Sequence, residues 1–245
     1  MSAGIVFAVI FIFAFCRRQG FKAENTAIIT LSAVIFGLVG AKLLSIFTLF
    51  SPSEIKGILF SAPLSLLTES GLVFYGGLIA GIPAAYIAAR KVNEKIGIYE
   101  NIFITALPAA HAFGRIGCFF AGCCYGCKTS LPVGVIYTDP ISDAPTGIPL
   151  FPIQLFEAGY NAFIFFILLA MLIKIPEKKL NLPIYFICYG TERFFAEMFR
   201  GDDIRGFYFG LSTSQWISIA VVFFGIAILT VRLLKLRHCQ ESVRK

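Results

Sequence analysis

Apolar runs long enough to cross a bilayer recur along this chain, at 3–16, 26–49, 72–89, 98–120, 153–173, 182–199 and 212–234. A helix needs about 20 apolar residues to cross the hydrocarbon core. In lipid no water satisfies the backbone, so runs of this kind form helices. Hydrophobic residues make up 58% of the chain and charged residues only 14%, against roughly 25% charged in soluble domains. A soluble fold is excluded. The expectation is an all-α integral membrane protein with seven transmembrane helices, a single polytopic domain over 1–245. The first run has no basic stretch before it and no A-x-A-like site after it. Arg17 and Arg18 follow it, so it reads as the first span and not as a cleaved signal peptide.

Lys and Arg in the connections set the orientation. Loops 17–25, 90–100 and 174–181 carry three each and the tail after 231 carries five, which is 14 on one side. The other side has four: Lys56, Lys128, Arg200 and Arg205. The N-terminus is expected outside and the C-terminus in the cytoplasm. The net charge of +7 is this bias. No basic stripe is interleaved with exposed aromatics, so no nucleic-acid partner is expected. The basic loops are short. The long connections, 50–71 and 121–152, lie outside, and the second is rich in Pro and Gly, predicting an irregular loop or short hairpin.

Charged residues in a span are costly and face a cavity or the bundle interior. Side chains from several spans fall near one depth, toward the outer surface. The fourth span places His111, Arg115 and Cys118 there. The fifth starts with Gln154 and Glu157. The sixth carries Tyr189, Arg193, Glu197 and Arg200, whose spacing of 4, 4 and 3 predicts one shared helix face. Tyr75 and Lys42 fall at the outer ends of the third and second spans. Independent spans thus converge on an outer polar cavity built from spans three to six. Arg115 and Arg193 offer planar donor forks suited to phosphate, at headgroup depth. Such groups would stabilise a departing lipid phosphate, with Glu157 and Glu197 orienting the arginines or acting as bases.

Cys118, Cys123, Cys124 and Cys127 fall within ten residues. Zinc ligation, disulfides, close packing at a helix end and a nucleophilic thiol are all open readings. A C-x2-C pair calls for a second pair, and none follows, so no metal ligand set is assigned and no cofactor is expected.

Several segments together resemble a known family. FGRIGCFFAGCCYG (113–126), VFYGGLIAG (73–81), LPVGVIY (131–137), FPIQLFE (151–157), YGTERFFAEMFR (189–200) and LSTSQWIS (211–218) resemble, in order, segments of the prolipoprotein diacylglyceryl transferases. The resemblance covers about residues 70–220 and implies the same topology, N-terminus out and C-terminus in. It implies transfer of diacylglyceryl from phosphatidylglycerol to the lipobox cysteine of a prolipoprotein signal peptide, in the bacterial cell (inner) membrane among membrane lipids. It makes Arg115 and Arg193 the essential phosphate or substrate ligands. Tyr189, Glu197, Arg200, Gln154 and Glu157 become supporting groups. Tyr75 stands where the family has His, Cys118 where it has Asn, and Phe151 where it has a second His. Tyr75 or His111 is left to take the base's place. A paralogue acting on another acceptor, and a non-catalytic lipid- or metal-binding protein, are the competing readings.

Overall fold

The computed structural model describes residues 2–61, 73–139, 142–201 and 206–244. Arg205 lies outside them, as does the side chain of Tyr75. Among the described residues the chain is mostly helical: α1 (Ser2–Arg18), α2 (Ala23–Leu49), α3 (Pro52–Ser61), α4 (Phe74–Lys91), α5 (Ile96–Ala121), α6 (Ile153–Lys174), α7 (Asn181–Ala196) and α8 (Thr213–Arg244). Among the described residues, helix covers most of each apolar run. Four stretches are long and apolar enough to cross a membrane: Ala23–Leu49, Tyr99–Ala121, Ile153–Lys174 and Thr213–Arg237. The outer surface is apolar, with Phe47, Phe120 and Phe223 each about 70% exposed or more. Exposed apolar side chains in this number mark lipid-facing surface. The chain is a multi-pass membrane protein.

Helix ends follow local chemistry. At the end of α1 the Phe21 N–H donates to the Cys16 carbonyl and the Gly20 N–H to Arg17, both at 3.1 Å. Gly20 has φ +78°, which only glycine adopts at no cost, and this closes a Schellman motif.

The chain forms two compact units. In the unit Ile12–Tyr99, α2 and α4 pack along small residues. A side chain at Gly40 would run into the Gly76 carbonyl oxygen, and one at Gly76 into that of Gly40. Backbones this close replace hydrophobic driving force with van der Waals packing, the usual solution in lipid. Asn25 Nδ2 donates to Glu94 Oε1 at 2.7 Å, tying the start of α2 to the end of α4.

The second unit comprises Met1–Phe11 and Glu100–Lys245. Here Phe7 packs on Phe113 and Phe165, and Ile164, Leu168 and Tyr185 form a buried core. The α7–α8 crossing is close: a Cβ at Gly190 would sit 3.0 Å from the Ser218 carbonyl oxygen. A buried chain of amides joins α5, α6 and α7. Asn181 Nδ2 donates to Thr105 Oγ1 (2.8 Å) and to the Leu168 carbonyl (2.9 Å), and Thr105 Oγ1 to the Asn101 carbonyl (2.6 Å).

The 121–152 connection is irregular but tethered. Its strands β1 (Val135–Ile136) and β2 (Pro149–Leu150) pair antiparallel, as do β3 (Phe207–Tyr208) and β4 (Leu211–Ser212). These two-residue ladders are the departure from a purely helical chain.

Candidate functional site

Helix α6 builds the site by turning its polar residues inward. Gln154, Glu157 and Asn161 recur at spacings of three and four, so they share a face. All three are at most 2% exposed. The opposite face carries Leu155, Phe156, Tyr160 and Phe163, all exposed. In water this arrangement would be inside out; in lipid it buries the polar groups and offers the apolar ones to acyl chains.

Two arginines from different helices converge on Glu157. Arg115 Nη2, from α5, lies 3.1 Å from Glu157 Oε1, and Arg193 Nη1, from α7, lies 3.6 Å from the same atom. Arg193 Nη2 also donates to Glu197 Oε2 at 2.6 Å and to Ser214 Oγ at 3.2 Å. Both arginine side chains are 12% exposed. Neither fork is saturated: Arg115 Nε and Arg193 Nη1 make no hydrogen bond among the described residues. Removing either partner from such a buried pair leaves an uncompensated charge and costs about 3–5 kcal/mol.

Of the other sequence candidates, His111, Cys118, Gln154, Tyr189, Glu197 and Arg200 belong to the same compact unit, with one correction to their placement, while Tyr75 belongs to the other unit and its side chain lies outside the described residues. Tyr189, Arg193 and Glu197 share a face, but Arg200 does not. Helix α7 ends at Ala196, a 3-10 turn follows over Glu197–Phe199, and Arg200 is extended at φ −81°, ψ 142°. Arg200 pairs there with Gly126 in an antiparallel bridge. The cause is the close approach of Gly201, where a Cβ would stand 2.5 Å from the Gly126 carbonyl oxygen; continued helix would carry the chain away from that strand. The Arg200 guanidinium is beside Cys124. His111 packs against Tyr189 with ring centroids 5.5 Å apart, and Tyr189 stacks on Tyr185 at the same distance. His111 also meets the Asn161 side chain.

Gln154 reaches the cysteine loop. Its Nε2 donates to the Cys123 carbonyl at 2.9 Å and to Tyr137 Oη at 3.4 Å. Burial pushes the Tyr137 phenol above its usual range, with the Gln154 bond opposing. Cys118, Cys123 and Cys124 cluster, and all six described cysteines are free thiols. Hydrogen bonds from Cys118 and Cys123, and the Arg200 guanidinium, hold the Cys124 thiol below its usual range. Cys127 serves through its backbone: its N–H donates to the Phe199 carbonyl at 2.8 Å and its carbonyl accepts from Phe151 at 2.9 Å.

Four residues join the site without having been singled out in the sequence. Asn161 is a turn beyond Glu157, Ser214 opens α8, and Tyr137 comes from the loop. Glu192, adjacent to Arg193, is 9% exposed and near Glu157. An acid inside an apolar run was a readable signal for Glu192. Ser214 and Tyr137 carry no such signal.

Comparison with known proteins decides the family. The sequence matches the family described as prolipoprotein diacylglyceryl transferase over residues 1–231. The chain belongs to the prolipoprotein diacylglyceryl transferase family. It is 32% identical over 231 residues to the phosphatidylglycerol–prolipoprotein diacylglyceryl transferase of Clostridium tetani, covering 94% of this chain and 90% of the relative. It is 35% identical over 238 residues to the phosphatidylglycerol–prolipoprotein diacylglyceryl transferase 2 of Clostridium perfringens, covering 96% and 90%. A Dehalococcoides mccartyi relative with the same name as the first matches 99% of this chain at 25% identity. Every residue of the Arg115–Glu157–Arg193 cluster falls within the matched family region.

Proposed function

We propose that this chain transfers the diacylglyceryl group of phosphatidylglycerol to the lipobox cysteine of a prolipoprotein, in the bacterial inner membrane. The observation that carries the reading is the convergence of Arg115 and Arg193 on one carboxylate oxygen, with donors left over, in a member of this family. Seven spans place the N-terminus outside and the site in an outer polar cavity at headgroup depth. The basic bias of the opposite loops supports that orientation.

The geometry supports a role for each group. The phosphodiester of phosphatidylglycerol accepts hydrogen bonds from the spare donors of Arg115 and Arg193. Glu157, held between them, fixes both forks before the lipid arrives, and Glu197 and Ser214 fix Arg193 from its other side. Negative charge on the phosphate rises as the glyceryl C–O bond breaks, so preorganised guanidinium groups stabilise the transition state more than the ground state. Tyr189 and Arg200 border the phosphate; Gln154 holds the loop that carries Cys123. His111, on α5 against Tyr189, takes the acceptor's proton. An open apolar groove of about 560 Å³ along the exposed face of α6, lined by Leu155, Phe156, Gly159, Tyr160 and Phe163, suits an acyl chain.

The test is complementation. A bacterial strain depleted of its own diacylglyceryl transferase is expected to regain growth and lipid-modified prolipoprotein when this chain is expressed. Accumulation of the protein in the membrane without prolipoprotein modification would contradict the reading.

A further inference from the structure

Three thiols lie together where neither ion pairing nor phosphate binding accounts for them. The Sγ atoms of Cys118, Cys123 and Cys124 all lie within 4.8 Å of one another. Cys118 sits in the last turn of α5, one turn beyond Arg115. The helix ends at Ala121. Gly122 at φ +66° and Cys124 at φ +55° then turn the chain back, so that the Cys123 N–H meets the Cys118 carbonyl at 3.2 Å. The loop is held from three sides: by Gln154 at the Cys123 carbonyl, by Phe199 at Cys127, and by the Gly201 N–H, which donates to the Tyr125 carbonyl at 3.1 Å. All three cysteines are only partly buried.

Three protein ligands and an exchangeable fourth position define an open zinc site. Zinc–sulfur bonds of about 2.3 Å put tetrahedral sulfurs about 3.8 Å apart, so this cluster closes on a metal with shifts of about an ångström. Soft thiolates select thiophilic ions over hard ones. Three thiolates around a dication leave one negative charge, and the Arg200 guanidinium beside Cys124 offsets it. The acceptor of the reaction proposed above is itself a thiol, the natural fourth ligand.

We propose that Cys118, Cys123 and Cys124 hold one Zn²⁺ whose fourth position takes the acceptor cysteine as its thiolate. The inference rests on the transferase reading. Coordination deprotonates the acceptor thiol, and its proton passes to water. A sulfur lone pair attacks the glyceryl carbon of phosphatidylglycerol. The C–O bond to phosphate breaks, its electron pair stays on the phosphate oxygen, and glycerol phosphate departs toward Arg115 and Arg193. The product thioether carries no charge and is a weak ligand, so it leaves the metal. No oxidant or reductant is needed, and the metal, not a basic side chain, ionises the acceptor, leaving His111 to relay the released proton to water.

The test uses the full-length protein in phosphatidylglycerol-containing nanodiscs, titrated with Co²⁺. One Co²⁺ per chain is expected, with sulfur-to-cobalt charge-transfer and tetrahedral d–d bands. The bands are lost in Cys118→Ser and Cys124→Ser and kept in Cys188→Ser. A lipobox peptide bearing Cys shifts the d–d bands, and the same peptide with Ser does not. Chelation slows transfer about a hundredfold, and Zn²⁺ restores it. Absence of the charge-transfer band, a disulfide among the three thiols, binding of Cu⁺ alone, or full transfer by stripped protein overturns the proposal. The wild-type spectrum decides even where a Ser variant does not accumulate. If cobalt and the peptide thiol bind while no form of the protein transfers lipid, the metal site stands and the transferase reading fails.

Discussion

Arg115 and Arg193 reach the same atom, Glu157 Oε1, from two different helices, at 3.1 and 3.6 Å. The carboxylate is thus a spacer that sets the separation and pitch of two guanidinium forks. Glu157→Gln keeps the shape and removes the charge, leaving two buried cations facing one another. Loss of one partner from a buried pair costs about 3–5 kcal/mol. The expected outcome is a lower temperature of thermal inactivation in detergent and at least about a hundredfold slower transfer. Unchanged thermal stability would show that the shared contact is not part of the native site.

Ser214→Ala removes one neutral partner of Arg193, which keeps Glu157 and Glu197. A single hydrogen bond to a charged group contributes about 1.5–3 kcal/mol, and part is recovered by water in a headgroup-level site. Transfer is expected to slow about tenfold with little change in accumulation. A loss as large as that of Glu157→Gln would mean Ser214 touches the substrate.

Gln154→Leu keeps the bulk and cuts the bond to the Cys123 carbonyl. The cysteine loop should loosen, and Cys123 should react faster with an impermeant thiol reagent added from outside, read by mass shift. Unaltered labelling would place the restraint on the loop at Phe199 and Gly201 alone.

Gly76→Val puts a branched side chain against the Gly40 carbonyl oxygen, where backbone must yield. The variant should fail to accumulate in the membrane. Gly57→Ala, in α3 with open space around the position, should accumulate as wild type. Equal accumulation of both would mean α2 and α4 do not cross at these glycines.

The long helices were legible in the sequence because lipid demands an apolar run for each, whereas α3 was not, since it lies in the stretch 50–71 that read as a connection. The arginines and Glu157 were legible for the converse reason: charge in such a run needs a cause. Arg200 was misplaced because a 4-4-3 spacing describes a continuing helix, and the tertiary approach of Gly126 to Gly201 ends it. The four cysteines were legible as a group, but which of them meet was hidden by the same limit. Spacing pairs Cys124 with Cys127, whereas the left-handed residues at 122 and 124 fold Cys123 and Cys124 back onto Cys118. Ser214 joins the site only through the packing of α7 on α8, which the α8 sequence does not announce.

The measurement that bears most directly on the account is the transfer rate of Arg115→Lys and Arg193→Lys, purified and assayed with phosphatidylglycerol and a lipobox peptide. Lysine keeps the charge but cannot form two parallel hydrogen bonds to a phosphate. Each variant should accumulate in the membrane and transfer at least about a hundredfold more slowly. Arg90→Lys, at the end of α4 where Arg90 meets Tyr86, should transfer as wild type. Full transfer by either arginine variant would contradict the phosphate role and leave Arg115 and Arg193 as packing ion pairs.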